Sequence, residues 1–215
     1  MASSSSVSAA VTDLTSTFGG QLLQPGDAGY DEARRVHNGL IDKRPALIAR
    51  CRGTADIVDA IGLGRKLGLE IAVRGGGHNV AGRATVEDGL MIDLAPMKGI
   101  HVDPKQRTAR AQGGVTWKEL NRETQVHGLA TTGGVVSSTG IAGLTLGGGL
   151  GWLMAKHGLA LDNLLSAEVV TASGRCPACQ RKGQCRSPLG GSQSRRQLWR
   201  RVLARISIAS RRPGH

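Results

Sequence analysis

"EIAVRGGGHNVAG", residues 70–82, decides how the chain is read. Glu70 to Arg74 read as a short strand of Ile, Ala and Val. Three glycines, Gly75, Gly76 and Gly77, then break it and run into His78 and Asn79. Glycine lets backbone N–H groups approach a ligand with no side chain in the way. Consecutive N–H groups form a concavity that binds anions. The string therefore suits a pyrophosphate, with Arg74 adding charge. A mobile surface turn reads equally well from these residues alone. No Cys, His or Asp stands at metal-ligand spacing from His78, so no metal is expected there.

The surroundings favour a built site. Upstream, "ALIARC" (46–51) reads as a buried strand, and Gly53-Thr54 ends it, with Thr54 able to cap a helix. "ADIVDAIGLGRKLG" (55–68) sets Ile57, Ala60, Ile61, Gly64 and Leu67 at helical spacing, and Gly68 stops the run. Strand, helix and strand in this order predict parallel strands joined by a right-handed crossover. The glycine loop then lies at the C-terminal end of the second strand, where parallel sheets hold ligands. A short helix is expected around Asp31–Val36. Downstream, strands are expected at Leu90–Leu94, Ile100–Asp103, Thr108–Gln112 and Leu164–Gly174. "TWKELNRETQVHG" (116–128) reads as a helix capped by Thr116 and stopped by Gly128. The sum is α+β with mixed strands.

A second glycine-rich stretch, "TTGGVVSSTGIAGLTLGGGLGWL" (131–153), carries eight glycines between Gly133 and Gly151. Val, Ile and Leu are interleaved with them, unlike a Gly/Ser linker. Such a segment is buried, with its backbone against something flat or tightly packed. A large planar cofactor fits. Neither glycine region is a full G-x-G-x-x-G dinucleotide fingerprint.

At 215 residues the chain is long enough to bury a core. Aromatics are only 2%, so that core is Val, Ile, Leu and Ala. No apolar run reaches the ~20 residues of a membrane span, and no membrane partner is expected. The start lacks a basic region followed by an apolar block. Residues 1–29 read as a loose, Ser/Gly-rich lead-in and the location as cytoplasmic. The net charge of +12 is unevenly placed. Of 28 Lys and Arg, 11 fall in residues 175–215, which hold no Asp or Glu. The other 17 stand against 16 acidic residues in 1–174, an ordinary near-neutral body.

"RPALIARCRGTADIVDAI", "IAVRGGGHNVAG", "DGLMIDLAPMKGIHVDP" and "GGVVSSTGIAGLTLGGGLGWLMAKHGLALDNLLSAEVVTASG" resemble, in order and spacing, the PCMH-type FAD-binding domain of FAD-linked oxidases. These are the vanillyl-alcohol-oxidase-like flavoproteins, here similar to the berberine-bridge-enzyme-like branch. The resemblance covers about residues 30–174. It implies an α+β flavin domain of two subdomains, the second incomplete, with no substrate domain. "RGGGHN" matches the family's pyrophosphate loop. His78 matches the histidine that many members bond to the flavin 8α-methyl. Arg74, Gly75, Gly76, Gly77, His78, Asn79 and Gly82 are thus expected to bind FAD. Thr139, Gly140, Gly143, Gly149 and Asn163 fall in segments that wrap the flavin and its adenine half. Many members carry a second tether, a cysteine. The matching position here is Val136, so attachment is expected to be single, through His78. The family's reaction is oxidation of an alcohol, sugar or similar small molecule, with hydride passing to flavin N5 and electrons to O2. No catalytic acid or base can be assigned within residues 1–174.

The tail, residues 175–215, breaks the resemblance. Its basic charge and Cys176, Cys179 and Cys185 offer a different reading, a nucleic-acid- or zinc-binding appendage. The three cysteines lack a fourth ligand at zinc spacing, and only Trp199 interleaves the basic residues, so nucleic acid is not an expected partner. A third reading fits better. Permitted codons for "PLGGSQSRRQLWRRV" (188–202), read one base later, decode to "LWAALRAGGNFGVV", which is family-like. The tail is therefore expected to be frameshifted and disordered, and the truncated chain to be inactive.

Overall fold

The structure, a computed structural model, describes residues 4–175, 178–180 and 202–209. Four short strands build the first sheet: β1 (Gln21–Leu23), β2 (Leu47–Arg50), β3 (Ile71–Arg74) and β4 (Leu90–Asp93). Their order is β1-β2-β4-β3. All four residues of β4 are buried, as the middle strand of a covered parallel sheet must be. β4 runs parallel to both neighbours, with Ile48 and Ala72 each opposite Met91. The strand–helix–strand unit thus has parallel strands, as the sequence predicts, with β4 between them. β1 is an antiparallel edge on β2.

Two helices cover the sheet. α1 spans Ser4–Thr15, and α3 spans Thr54–Leu67 after the single turn α2 (Tyr30–Ala33). α3 ends on Gly68, which takes the left-handed conformation (φ 64°). Its start differs from expectation. Gly53 is the N-cap, and Thr54 is the first helical residue. The buried carboxylate of Asp56 does the capping, accepting the N–H groups of Gly19 (2.9 Å), Arg52 (2.7 Å) and Gly53 (3.2 Å). One carboxylate satisfies three donors where a hydroxyl would satisfy fewer.

The lead-in is not loose. α1 and β1 both lie within residues 1–29. Val7, Ala10 and Val11 share one helical face and join the core formed by Ile57, Ala60 and Ile61. Ser8, Ala9, Thr12 and Asp13 lie on the exposed side of that helix, so composition misled where spacing would not have. The helix expected at Asp31–Val36 is shorter, Tyr30–Ala33.

The second sheet is antiparallel: β5 (Ile100–Asp103), β6 (Thr108–Gln112), β7 (Leu164–Val170), β8 (Ala178–Gln180) and β9 (Val202–Ala209), in the order β5-β6-β9-β7-β8. Its core gathers Ala109, Ala111, Val115, Trp117, Leu120, Ile141 and Val169. α4 (Trp117–Gln125) packs there, with Thr116 as N-cap and the Glu119 carboxylate accepting the Thr116 N–H at 2.7 Å. α5 (Ile141–Leu146), α6 (Met154–His157) and a 3-10 turn (Ala160–Asn163) complete the glycine-rich segment.

The tail is corrected in part. Backbone of residues 178–180 and 202–209 belongs to the second sheet, and β9 pairs with both β6 and β7. The sequence "VLARISIA" alternates and is rich in β-branched residues, which suits a central strand. Reading the tail by its charge passed over that pattern. The proposed zinc cysteines lie outside the residues whose side chains are described.

Candidate functional site

The two glycine segments meet at the C-terminal end of β3. A methyl group added to Gly76 would lie 2.2 Å from the Gly140 nitrogen, and one added to Gly140 would lie 2.5 Å from the Gly76 nitrogen. Only glycine at both positions permits this approach. Gly77 turns the loop with φ 71°, and its carbonyl accepts the His37 N–H at 3.0 Å. The facing segment is fixed by three backbone bonds: Trp117 N–H to Thr139 O (3.0 Å), Lys118 N–H to Ser137 O (2.8 Å) and Ile141 N–H to Val115 O (2.9 Å). The N–H groups of Gly75 to Asn79 donate to no acceptor among the described residues.

His78 stands at the end of this loop. Its Nε2 is 3.1 Å from Ser138 Oγ and its Nδ1 is 3.3 Å from Thr139 Oγ1. Its ring stacks on His37 with centroids 4.0 Å apart and planes 12° from parallel. Burial, and then the neighbouring His37, hold the His78 pKa below the ordinary histidine value. The imidazole is therefore neutral at pH 7, with a lone pair available for bonding.

Arg74 lies beneath the loop. Its Nη1 donates to Asp93 Oδ1 at 3.1 Å, while Arg50 Nε donates to Asp93 Oδ2 at 3.3 Å. Asp93 is fully buried at the end of β4. Two guanidinium groups against one carboxylate leave a net positive charge below the unpaired N–H groups. Arg74 Nε is buried without an acceptor, and it sits 3.3 Å from where a Gly77 Cβ would be.

The remaining candidates take other places. Asn79 closes a turn, its Oδ1 accepting the Arg83 N–H at 3.1 Å. Gly82 (φ 69°) leaves room for the Ile41 side chain, and Gly149 (φ 75°) for Ala160. Asn163 Nδ2 donates to the carbonyls of His157 (3.0 Å) and Leu159 (2.9 Å), bracing the segment after α6. Gly143, on α5, faces open space. The structure thus unites Arg74, Gly75–His78, Thr139 and Gly140, while Gly82 contacts Ile41, Gly149 contacts Ala160, and Asn163 bonds the His157 and Leu159 carbonyls. Sequence reading missed His37, Asp93 and Ser138. Asp93 had a signal, an acid ending the apolar run "LMID". His37 and Ser138 had none, because their roles arise only when distant segments meet.

These residues fit a phosphate-bearing cofactor. Unpaired N–H groups and an excess guanidinium charge suit a diphosphate. Val135 and Val136, in the turn before Ser138, are 62% and 48% exposed. Apolar surface beside a neutral histidine suits a planar ring. Cradle, histidine and apolar surface together define a domain that binds a ring-bearing dinucleotide. Comparison with known proteins gives the particular family. Residues 45–180 match the FAD binding domain, and the chain belongs to that family of FAD-linked oxidoreductases.

The chain is 41% identical over 160 residues to (R)-6-hydroxynicotine oxidase of Paenarthrobacter nicotinovorans, covering 74% of this chain and 35% of that protein. It is 35% identical over 168 residues to an FAD-linked oxidoreductase of Aspergillus terreus, covering 77% of this chain and 34% of the relative. Among solved structures it superposes on 6-hydroxy-D-nicotine oxidase of Arthrobacter nicotinovorans with a TM-score of 0.80 and 34% identity, over 90% of this chain and 42% of that one. It superposes on glucooligosaccharide oxidase of Acremonium strictum, whose FAD is 6-S-cysteinyl and 8α-N1-histidyl, with a TM-score of 0.81 and 25% identity, over 95% of this chain and 42% of that one. The chain spans about a third of the length of the curated relatives it matches.

Proposed function

We propose that the chain is the flavin-holding part of an oxidase of small molecules, with FAD tethered once, through His78. The bound flavin would take two electrons from a substrate C–H bond and pass them to O2, releasing hydrogen peroxide. An alcohol, a sugar or a cyclic amine fits that chemistry and the kinds of relatives matched. The chain's own residues would do the binding. The N–H groups of Gly75–Asn79 receive the diphosphate, and the Arg50–Asp93–Arg74 group supplies positive charge beneath it. The Ser138 and Thr139 hydroxyls orient His78, and Val135 and Val136 lie against the ring and exclude water. Val136 offers no sulfur for a second tether.

One observation carries this reading. Gly76 and Gly140 bring an anion cradle, and a neutral histidine with both nitrogens oriented, into a single wall. The test is to express the chain in riboflavin-replete cells, denature it and view the gel under ultraviolet light. A fluorescent band that is lost in His78→Ala supports single attachment through His78. A dark wild-type band, with yellow flavin released on denaturation, would leave FAD binding standing and remove the tether. No flavin in either fraction would overturn the reading.

A further inference from the structure

The stack of His37 on His78 has no part in the phosphate cradle, yet its support is extensive. His37 belongs to residues 34–43, an irregular strap that crosses the outside of the glycine loop. The strap is tied down along its length. His37 N–H bonds Gly77 O (3.0 Å), Asn38 Nδ2 bonds Val80 O (2.9 Å), and the Ile41 side chain fills the space left by Gly82. At its ends Arg34 pairs with Asp42, and Lys43 Nζ reaches Gly82 O at 3.5 Å. The strap is therefore a fixed element, and the ring it presents is fixed with it. His78 is gripped on three sides: a hydroxyl at each ring nitrogen and a flat imidazole against one face.

We propose that His37 is a positioning residue for His78, setting the plane of its ring so that one nitrogen faces the carbon it bonds. This rests on the tethering reading above. Bond formation to the flavin breaks one C–H bond of the 8α-methyl and the imidazole N–H, and makes one N–C bond. Both protons and two electrons end on the flavin, which O2 reoxidises, giving hydrogen peroxide. A ring free to rotate about its χ angles would present its lone pair to the methyl carbon only part of the time, and a protonated ring would present none.

The charged groups around the stack do not replace His37 in this role. On the strap, Arg34 is held by Asp31 and Asp42, and Lys43 by a carbonyl, leaving Arg35 as the other cation there. Beneath the loop, Arg74 is held by Asp93, and Arg83 follows the loop. The facing segment, residues 131–153, contains no charged residue. The carboxylates of these elements, Asp31, Asp42 and Asp93, are each paired with an arginine, and a cationic His78 would lie flat against a second imidazole.

Two measurements test this, one without flavin. In the flavin-free chain, the pKa of His78 is read by NMR for wild type, His37→Leu and His37→Phe. Expected is a rise toward the ordinary value in His37→Leu, accompanied by broadening of the His78 ring signals. His37→Phe should keep the ring signals sharp. In the second, apo chain is mixed with FAD under air, and covalent fluorescence is followed in time. His37→Leu should slow attachment at least tenfold, and His37→Phe should restore it to within threefold. Circular dichroism confirms that each variant folds, and His37→Phe with its flat ring serves if His37→Leu does not. Attachment in His37→Leu at the wild-type rate overturns the proposal alone. So does failure of His37→Phe to restore it, since stacking would then not be the operative contact. A wild type that binds FAD without attachment overturns the tethering reading, and an unchanged His78 titration in the flavin-free variants overturns the positioning role by itself.

Discussion

The first sheet and the glycine cradle are built by opposite means. In the sheet, order comes from side chains. Leu47, Ile48, Leu90, Met91 and Ile92 are fully buried and fix one another by filling volume. In the cradle, order comes from their absence, since Gly76 and Gly140 meet backbone to backbone. A close-packed core resists loss of atoms. A backbone contact resists gain of them. The same protein should therefore respond to deletion and insertion of a methyl in opposite ways, depending on which region is touched.

The largest effect should come from Ile92→Ala, in the middle of the parallel sheet. It should cost about 2–5 kcal/mol in urea unfolding, with the usual cavity penalty. Asp93→Asn comes next. It strands two guanidinium groups, and the loss should be about 2 kcal/mol, below that of a wholly buried pair because Arg50 and Arg74 both reach solvent. Flavin retention should fall with it, as Arg74 is released from under the loop. Gly76→Ala should cost about 1–3 kcal/mol and abolish flavin binding. If it is neutral, the backbone contact is not the organising feature of the cradle. Gly143→Ala sharpens the contrast. In the open space on α5 it should stabilise the flavin-free chain by about 0.5–1 kcal/mol, and an equal stabilisation with FAD present would show that the cofactor leaves that space clear.

The smallest effect is a pH slope. His78 has its pKa lowered in the folded chain relative to 6.5 when unfolded. The unfolded chain then binds more protons just below pH 6.5, so this contribution is complete above that pH and is lost as pH falls. Urea midpoints measured at pH 7.5 and 5.5 should diverge less in His78→Asn than in wild type. The Glu119 contribution lies lower. Burial raises its pKa, but Lys98 and the Thr116 bonds more than reverse this, and its loss begins below 4.5.

The sheet was legible in the sequence for the same reason that it is stable. Ile57, Ala60, Ile61 and Leu67 repeat at helical spacing, and Leu90, Met91 and Ile92 form an apolar run closed by Asp93, so each element announces itself locally. The loop at the end of β3 was legible from its three glycines. The histidine pair was not, because His37 and His78 are brought together only by the strap. The bonds and contacts of Asn163 and Gly149 to His157, Leu159 and Ala160 likewise had no local signal, because they form only when the segment folds on itself. The tail shows the limit of reading by charge. Its arginines dominate the composition, while the alternation in "VLARISIA" decides where the backbone goes.

The position of β9 bears on how the chain reaches its fold. It is the middle strand of the second sheet, yet it comes after the other described strands in chain order, and its pairing with β6 joins Thr108 to Ala209, roughly a hundred residues away. During translation β6 and β7 must wait with unpaired edges until residues 202–209 have left the ribosome. Edges of that kind recruit other chains. Yield in the cell should therefore depend on elongation rate and on chaperones that shield nascent strands, more than on the stability of the finished domain.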